Sequence, residues 1–576
     1  MILKDVLKDI EILDYKGNLE VEITNITSDS RNVEPFGLFV AIIGYVLDGT
    51  KFIPDAIKNG ASTIMVDETV DISTISVPDN VCVVKVNNIR HALGIASCNL
   101  YDYPSKKLKL IGVTGTKGKT TSTYMIKSIL QQAGIKVGLI GSIAIYINDE
   151  KIEEMDRTSA ESYKLQKTLA MMVEKNVDIV VLEVSSQAMK LDRVIGCDFD
   201  RVLFTNLSED HISPNEHKDM EDYFNAKLSL CKMSPIVAYN PDNEYTSRIP
   251  NLLSEKELIS FGLKNKANIM AKDLNLSNSG VDFTLIKENN ELPVHISIPG
   301  KYMVYNALGA IAIASTFDVS DKHIQDGLKN VRVFGRSELV PNKLGLTIII
   351  DYAHTPSSLQ SILETVKPYT KGRVICTWGV GGDRDSKKRP IMGEISGRLA
   401  DFTILTCDQI RTESPKQILS DIEEGLKKVT NQYTIIYNRT EAIRHAIKMA
   451  TKDDIIVLPG LGSDLYIEYM RVKYPYDERV VIHDIIEEIL SEDEYKTNYE
   501  IENIMKDFDF TMKGGHEYMN IEEKEEEKKE KDIEVVNGDG KDLEISPVYD
   551  HIKMDKNNNQ NNNKNEKIVI PENKKN

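Results

Sequence analysis

Short apolar runs separated by helical stretches mark the first hundred residues of the chain. Leu38–Ile43, Thr63–Val66 and Val81–Val86 have the length and composition of buried strands. Ile53–Asn59 and His91–Leu100 have the apolar spacing of helices. This alternation predicts a small α/β domain over residues 1–105.

A second block repeats the alternation on a larger scale. Its apolar runs predict strands at Leu108–Val113, Val137–Ile140 and Ile179–Val184, with helical segments between them. Strands that alternate with helices indicate a mostly parallel sheet, because a parallel pair needs a crossover connection. We therefore predict a central α/β domain over residues 106–335.

A third block has the pattern of an open sheet of Rossmann type. Its predicted strands are Thr347–Ile350, Val374–Trp378, Phe402–Thr406 and Ile455–Pro459. We assign this domain to residues 336–490, so the fold class is α/β with three domains.

After Leu490 the apolar periodicity disappears. Ile521–Asp532 is almost entirely Glu and Lys, and Asn557–Asn565 is nearly pure Asn. Such segments cannot bury enough apolar surface to offset their chain entropy, so we predict a disordered tail over residues 491–576. A solvated Glu/Lys helix is the alternative for the first segment.

The net charge is concentrated in this tail. The tail has 14 basic and 23 acidic residues, a net −9, within a total of −18 for the 576 residues. The acidic balance argues against general binding to nucleic acid or to anionic membranes, which requires a positive surface.

Cysteine use and hydropathy indicate a reducing compartment. The six cysteines are scattered without a C-x-x-C pair, so buried, reduced thiols are expected. Charged residues interrupt the first twenty positions, and no apolar run approaches the ~18 residues that span a bilayer. We expect a cytoplasmic protein that does not insert into membranes.

A glycine-rich loop carries the strongest chemical signal. The segment Gly112–Thr121, GVTGTKGKTT, follows a predicted strand and precedes a helix. Its three glycines would allow backbone N–H groups to approach phosphate oxygens, and the helix N-terminus adds partial positive charge. Lys119 would contact the β- and γ-phosphates, and the Thr120 hydroxyl would hold Mg²⁺. Gly112 lies one residue further upstream than in the usual phosphate-loop motif, and the alternative is a structural strand–helix turn with an incidental lysine.

A carboxylate ends the strand of Ile179–Val184. Ligands of open α/β sheets bind at the carboxyl ends of the strands, which is where Glu183 lies. Beside a phosphate loop, this position favours a metal ligand, whereas an exposed edge residue is the alternative.

Several motifs together resemble the Mur ligase family. They are TGTKGKTT, EVSS, FTNLSEDHIS at Phe204–Ser213, the long segment Asp29–Phe52, DYAHTP at Asp351–Pro356, and GVGGDRDSKKRPIMG at Gly379–Gly393. Their order and spacing agree over roughly residues 20–490, and they are most similar to the MurE type. The resemblance implies a uridine-nucleotide domain, a central ATPase domain and a C-terminal amino-acid-binding domain.

The resemblance also implies a reaction and its setting. ATP would phosphorylate the free carboxylate of UDP-MurNAc-L-Ala-D-Glu, and the amine of diaminopimelate, lysine or another amino acid would displace the phosphate. This is a step of peptidoglycan precursor synthesis in the cytoplasm. The cofactors would be ATP and two Mg²⁺ ions, the partners only these small molecules, and the protein a monomer.

Matching motif positions assign the nucleotide and metal residues. For ATP the resemblance implies Gly115, Thr116, Gly118, Lys119, Thr120, Thr121, Asn306, Arg336, Asp351 and His354. The catalytic set is Lys119, Glu183, His211 and Lys227, and the metal ligands are Thr120, Glu183, His211 and a carbamylated Lys227. Considered alone, His211 would be a loop residue, Lys227 a solvated lysine, and Asn306 an N-cap that begins an apolar helix.

The other two substrates are assigned in the same way. For UDP-MurNAc-dipeptide the resemblance implies Ser30, Arg31, Gly44, Asp48, Thr158, Ser159, Ser185 and Arg193. For the amino acid it implies Arg389, Asp408, Arg411, Gly460 and Asp464. Arginine suits carboxylate and diphosphate groups because it makes bidentate contacts.

Departures from the family pattern are concentrated around these two substrates. The family's D-N-P-R is Asp408–Arg411, with Gln409 and Ile410 in the middle, and its G-K-G-H-E is Gly460–Asp464, which lacks the lysine and histidine. The family's N-T-T-P is Arg157–Ala160, and Gln187 replaces a histidine. Such losses change selectivity strongly. Two alternatives therefore stay open: a paralogue that uses another acceptor or amino acid, and a nucleotide-binding protein without ligase activity.

Overall fold

The computed structural model describes residues 1–44, 47–155, 158–210, 212–213, 216–288 and 290–491. His211, Arg157 and the predicted tail from residue 492 onward lie outside these described residues, whereas Ser491, the first residue of that prediction, ends the last helix. Within them, no helix is both long and apolar enough to cross a membrane.

The first sheet has five strands in the order β1-β5-β4-β3-β2. Only the edge pair β1–β5 is antiparallel. The elements are α1 (Leu3–Val6), β1 (Ile12–Lys16), β2 (Ile26–Thr27), β3 (Gly37–Ala41), α2 (Ile53–Lys58), β4 (Ala61–Asp67), β5 (Cys82–Val86) and α3 (Ile89–Leu100).

The second sheet has eleven strands in the order β16-β15-β14-β13-β12-β11-β6-β10-β7-β8-β9. Its first half contains β6 (Lys109–Thr114), α4 (Lys119–Gln132), β7 (Val137–Ile140), β8 (Ala144–Ile147), β9 (Glu150–Glu154), α5 (Ser162–Glu174), β10 (Ile179–Glu183), α6 (Ser186–Lys190) and β11 (Arg201–Phe204). Its second half contains α7 (Met220–Lys232), β12 (Ile236–Tyr239), α8 (Ile249–Leu252), β13 (Glu257–Gly262), β14 (Ile269–Ser277), β15 (Gly280–Lys287), β16 (Asn290–Ile296), α9 (Lys301–Ala314) and α10 (Asp321–Asn330).

The centre of this sheet is parallel, as predicted, but both ends are extended by antiparallel strands. In the parallel centre, successive residues of β6 and β10 alternate between two cores. Ile111 and Val181 face α4, α9 and α10, whereas Leu110 and Val180 pack on the opposite side. This two-sided burial explains why these strands are continuous apolar runs.

The third sheet has six strands in the order β17-β18-β22-β19-β20-β21. Its strands are parallel except for the edge pair β17–β18. The elements are β17 (Glu338–Leu339), β18 (Thr347–Asp351), α11 (Pro356–Val366), β19 (Val374–Trp378), α12 (Lys388–Leu399), β20 (Phe402–Leu405), α13 (Pro415–Leu426), β21 (Tyr433–Ile435), α14 (Arg439–Met449), β22 (Ile455–Pro459), the hairpin β23 (Tyr466–Tyr469) and β24 (Val472–Pro475), and α15 (Glu478–Ser491). The predicted α/β class is confirmed.

All six cysteines of the sequence are buried and none forms a disulfide. Burial raises the pKa of the Cys82 thiol to about 11 and that of the Cys407 thiol to about 12. These are inert packing thiols, as the sequence predicted.

Candidate functional site

The phosphate loop runs from the end of β6 to the first turn of α4. Gly115 (φ +145°) and Gly118 (φ +83°) adopt backbone conformations that favour glycine. A Cβ on Gly115 would lie 1.9 Å from Thr205 Oγ1, and one on Gly118 would lie 2.2 Å from Asn306 Oδ1. At both positions the backbone conformation favours glycine and a side chain would collide with its neighbours.

Gly112 was expected in the phosphate loop but lies within strand β6. A Cβ there would come within 2.9 Å of the Phe199 ring. Gly112 allows a ring to pack against the strand and takes no part in the loop. The glycines that belong to the loop itself are therefore Gly115 and Gly118.

Two lysines converge on one carbonyl oxygen of the loop. Lys119 Nζ donates to Gly115 O at 3.0 Å and to Thr116 O at 3.1 Å, and Lys227 Nζ donates to Gly115 O at 2.9 Å. Burial lowers the pKa of both lysines, and the positive charge of Lys119 lowers the pKa of Lys227 further. Two buried amino groups this close favour an anionic ligand, because an anion beside them would stabilise their protonated forms.

Glu183 is fully buried at the end of β10 and faces the same loop. Its carboxylate accepts hydrogen bonds from Thr120 Oγ1, Ser142 N and Ser142 Oγ, each at 3.0 Å. The alternative of an exposed edge residue is therefore wrong. Ser142, which follows β7 at the same edge of the sheet, was not predicted, because a lone serine after a strand is not a distinctive signal.

The Thr120 hydroxyl and the Glu183 carboxylate are the residues that could hold Mg²⁺. Both are hard oxygen ligands, and Mg²⁺ usually takes one or two protein ligands in addition to phosphate oxygens and water. Their direct hydrogen bond shows that one ion could reach both. Among the described residues there is no group of three or more His, Cys, Asp or Glu that could hold a metal.

A hydroxyl-rich cluster adjoins Glu183. The hydroxyls of Ser142 and Thr158 are hydrogen-bonded at 3.1 Å, and Ser159 Oγ donates to the backbone oxygen of Glu183 at 3.1 Å. The backbone N–H of Ser185, the N-cap of α6, donates to Ser159 Oγ at 3.2 Å. Arg193 Nη1 donates to Ser159 O at 3.1 Å. The fold thus brings together the four central residues predicted for the acceptor substrate.

The predicted uridine-nucleotide residues follow two neighbouring parallel strands of the first sheet. Ser30 and Arg31 follow β2, and Gly44 and Asp48 follow β3. Arg31 is exposed and paired with Asp29 at 2.6 Å, and Asp48 caps a short 3₁₀ helix. Both loops therefore leave the same edge of the sheet.

Asn306 faces the phosphate loop from α9. The expectation that it begins the helix is wrong, since α9 starts at Lys301 after Gly300. Asn306 is its sixth residue and is 7% exposed, with its amide against Gly118. Asn306 is therefore available to the nucleotide side of the loop and has no capping role.

Residues at the start of the third sheet adjoin the phosphate loop. The Arg336 guanidinium stacks over the Tyr352 ring at 4.5 Å. Its positive charge lowers the pKa of Lys119. Asp351, at the end of β18, accepts from Ser337 N (2.7 Å) and Ala353 N (2.9 Å). Burial raises the pKa of Asp351 and lowers that of His354. Lys117 Nζ donates to Ser357 O at 3.4 Å, which links the loop to this sheet.

Four of the five residues predicted for the amino acid, Asp408, Arg411, Gly460 and Asp464, are connected around one further residue, Gln409. Gln409 Nε2 donates to Asp464 Oδ2 at 2.6 Å, and Gln409 Oε1 accepts from Arg411 Nη2 at 3.2 Å. Arg411 Nη1 also donates to Gly382 O at 2.7 Å. A Cβ on Gly460 would lie 2.3 Å from Asp408 Oδ2, so these two residues touch. The sequence identifies Gln409 only as a departure from the family motif, whereas in the structure its side chain connects Asp464 with Arg411.

The carboxyl of Asp464 has an unusual affinity for protons. Burial raises its pKa to about 6, the hydrogen bond from Gln409 lowers it, and the charge of Asp408 raises it. A cationic group near Asp464 would favour its ionised form.

Arg389 has a different environment from the one expected for an open carboxylate site. Its guanidinium is 2% exposed and is paired with Glu413 at 2.5 Å and with Asp421 at 2.9 Å. Arg389 therefore ties α12 to α13 and to the loop after β20.

Three family profiles match the chain. They are the Mur ligase family, catalytic domain, over residues 22–100, the Mur ligase middle domain over residues 113–314, and the Mur ligase, glutamate ligase domain, over residues 335–462.

Known proteins are similar over most of the chain. UDP-N-acetylmuramoyl-L-alanyl-D-glutamate--2,6-diaminopimelate ligase 1 of Clostridium acetobutylicum is 43% identical over 492 residues, which are 85% of this chain and 100% of that relative. A solved structure of UDP-N-acetylmuramoyl-L-alanyl-D-glutamate--2,6-diaminopimelate ligase is 25% identical, with a TM-score of 0.60. The match includes 85% of this chain and 99% of the chain in that structure. MurF ligase from Thermotoga maritima, solved in complex with ADP, shares the fold at 16% identity with a TM-score of 0.55, over 81% of this chain and 98% of its own.

Proposed function

The chain belongs to the Mur ligase family, and from this membership we propose that it joins diaminopimelate to UDP-MurNAc-L-Ala-D-Glu with consumption of ATP. This is an amide-forming step of peptidoglycan precursor synthesis, and it takes place in the cytoplasm. One observation supports it most strongly. Thr120 of the phosphate loop and Glu183 of β10 are hydrogen-bonded beside the hydroxyl cluster of Ser159 and Ser185, so a nucleotide and a carboxylate acceptor would meet there.

The first chemical step is phosphoryl transfer. A carboxylate oxygen of the acceptor attacks the γ-phosphorus of ATP, the bond to the β-phosphate oxygen breaks, and ADP leaves. Lys119 would move from Gly115 O to the phosphates, and Arg336 would approach from the third domain, so both cations neutralise developing charge. Mg²⁺, held by Thr120 and Glu183, would supply further charge neutralisation when bound.

The second step is acyl transfer. The neutral amine of the amino acid attacks the acyl carbon, the bond between that carbon and the phosphate oxygen breaks, inorganic phosphate leaves, and the proton lost by the nitrogen passes to the solvent. Arg193 and the hydroxyls of Thr158, Ser159 and Ser185 would hold the acceptor in place through both steps.

Opposite charges in the amino-acid network suit diaminopimelate. The end of this amino acid that does not react carries one ammonium and one carboxylate group. Asp464 would bind the ammonium, and Arg411 would bind the carboxylate. Arg411 already pairs with Glu468 at 3.3 Å, and lysine, which has no carboxylate at this end, would offer it no second carboxylate.

Lys227 is suited to carbamylation. Its lowered pKa favours the neutral amine, which can attack CO₂: a bond forms between Nζ and carbon, and one proton is released. The resulting carbamate would offer oxygen ligands to a second Mg²⁺. His211, the other ligand expected for that ion, lies outside the described residues.

Carbamylation has a direct test by ¹³C NMR in labelled bicarbonate. We expect a carbamate signal that is lost in Lys227→Arg. Lys127→Arg is the matched control, because Lys127 is also buried but is paired with Asp149 at 2.8 Å. A signal that survives Lys227→Arg, or no signal in the wild type, would contradict the assignment.

The function has a test in phosphate release by the purified protein. The assay contains ATP, Mg²⁺ and UDP-MurNAc-L-Ala-D-Glu, with diaminopimelate, lysine or no amino acid. We expect release with diaminopimelate and little with the other two. Release only with a different carboxylate acceptor would indicate a paralogue, and failure to bind ATP would refute both forms of the ligase proposal.

A further inference from the structure

A buried ion pair lies between two stretches of the third domain that face the substrates. Arg479, at the start of α15, is 6% exposed and pairs with Glu338 of β17 through Nε (2.8 Å) and through Nη2. Its Nη1 donates to Asp477 Oδ1 at 3.0 Å. All three guanidinium nitrogens are therefore engaged, which fixes the orientation of the side chain.

Each partner of this pair also holds one of the two stretches. Glu338 Oε2 accepts a hydrogen bond from Gly335 N at 2.6 Å, directly before Arg336. Arg479 Nη2 donates to the carbonyl oxygen of Gly462 at 3.1 Å, in the loop that carries Asp464. One ion pair thus connects the backbone beside the Arg336 side chain with the backbone beside the Asp464 side chain.

The two stretches are also in direct contact. Gly335 (φ +64°) lies so close to the loop that a Cβ there would come within 2.1 Å of Ser463 N and 2.3 Å of Gly462 C. Tyr352, over which Arg336 stacks, donates its N–H to Gly335 O at 2.8 Å and packs against Gly462. A shift of either stretch would therefore displace the other, because close-packed interiors transmit displacement.

We propose that Arg479 and Glu338 are positioning residues that hold Arg336 at the ATP site and Asp464 at the amino-acid site in one fixed geometry. The inference rests on the proposed function, which assigns those two side chains to ATP and to diaminopimelate. It goes further because it connects the two sites through a pair that contacts neither substrate. A change in that pair should weaken both sites together, since small displacements of binding groups have large kinetic effects.

Arg479→Lys tests the inference in the full-length protein. A lysine has a single nitrogen in place of three, so it cannot hold Glu338, Asp477 and Gly462 O with the same geometry. We expect the KM values for ATP and for diaminopimelate each to rise at least about fivefold. The KM for UDP-MurNAc-L-Ala-D-Glu should change little, because its residues lie in the first and second domains. Glu338→Gln should give a smaller rise in the same two constants and serves as the second variant if Arg479→Lys fails to fold.

Arg373→Lys is the matched control. Arg373 also makes a multiple contact with a buried carboxylate, Asp454, but at the opposite edge of the same sheet. This variant should lower Tm and leave all three KM values unchanged. Absence of turnover in the wild type would refute the proposed function. Turnover in the wild type with a rise in only one KM, in all three equally, or in none for both Arg479→Lys and Glu338→Gln would overturn the inference.

Discussion

Replacement of Gln409 by leucine should move the pH dependence of the enzyme. The Gln409 amide donates a hydrogen bond to Asp464, whose pKa is raised to about 6 by burial and lowered by this bond. A hydrogen bond to a charged group contributes about 1.5–3 kcal/mol, which corresponds to about 1–2 pKa units. Without the donor, the pKa of Asp464 should therefore rise to between about 7 and about 8.

The consequence for catalysis depends on the ionised fraction of Asp464. At pH 7 this fraction would fall from about nine tenths to between about a half and about a tenth. Because the proposed role of Asp464 is to bind an ammonium group as a carboxylate, kcat/KM for diaminopimelate should fall about two- to tenfold at pH 7. At about pH 9 the carboxyl is ionised in both proteins, so most of the difference should disappear.

The assay is phosphate release as a function of diaminopimelate concentration, from about pH 5 to about pH 9. Gln360→Leu is the matched control, because Gln360 donates a hydrogen bond of 2.7 Å to Glu364 on an exposed helix face. Its profile should match that of the wild type. An acid limb that stays in place in Gln409→Leu, or a loss of activity that is the same at every pH, would refute the reasoning.

The remaining predictions concern the metal, stability and the tail. Glu183→Gln removes the carboxylate beside Thr120, so kcat should fall about a hundredfold and the Mg²⁺ requirement should rise; an unchanged Mg²⁺ titration of phosphate release would contradict the assignment. Burial raises the pKa of Asp454, but hydrogen bonds from Arg373 and Thr451 outweigh it and lower the pKa to about 2, so its stabilisation is present above about pH 4 and is lost as the pH falls towards 2. Urea unfolding at pH 7 should show Asp454→Asn to be less stable by about 2 kcal/mol, whereas the exposed Glu424→Gln should stay within about 0.5 kcal/mol, and equal losses would contradict this account. Removal of residues 492–576 should leave kcat nearly unchanged, because that segment has no apolar periodicity with which to pack, and a large loss of kcat in the truncated protein would contradict it.

Local patterns predicted the centre of the site well. The strand–loop–helix segment ending at Lys119 and Thr120 has a strong period and a distinctive glycine spacing. The edge rule for parallel sheets then brings Glu183 to the same place, although the two segments are 63 residues apart. Periodicity and sheet topology together are therefore sufficient to predict that Thr120 and Glu183 lie close to each other.

Residues whose role depends on distant partners could not be predicted. The Arg389 guanidinium is paired with Glu413 and Asp421, which lie 24 and 32 residues further along the chain. Gln409 is tied to Asp464, 55 residues away, so its role emerges only when two loops meet. Side-chain pairing of this kind has no periodic signal in the sequence.

The prediction of one helix start and of the outer strands of the second sheet failed for a different reason. The expectation that Asn306 begins α9 fails because the two tyrosines of the preceding turn, Tyr302 and Tyr305, are weaker helix formers than the Ala- and Leu-rich segment that follows, although the helix already begins at Lys301. The meander β14–β16 is half-exposed and shows no continuous apolar run, so it was not predicted as part of the sheet.

Because every native thiol is buried, fluorescent dyes can be attached selectively to cysteines introduced at the surface. A maleimide dye reacts with exposed, ionisable thiols, and the six native cysteines are neither. Cysteines introduced at the exposed positions Thr69 and Lys428 would thus be the two reactive ones, one in the first domain and one in the third. Energy transfer between dyes at these two positions would follow the distance between the outer domains as nucleotide is added, in a protein that keeps all of its own cysteines.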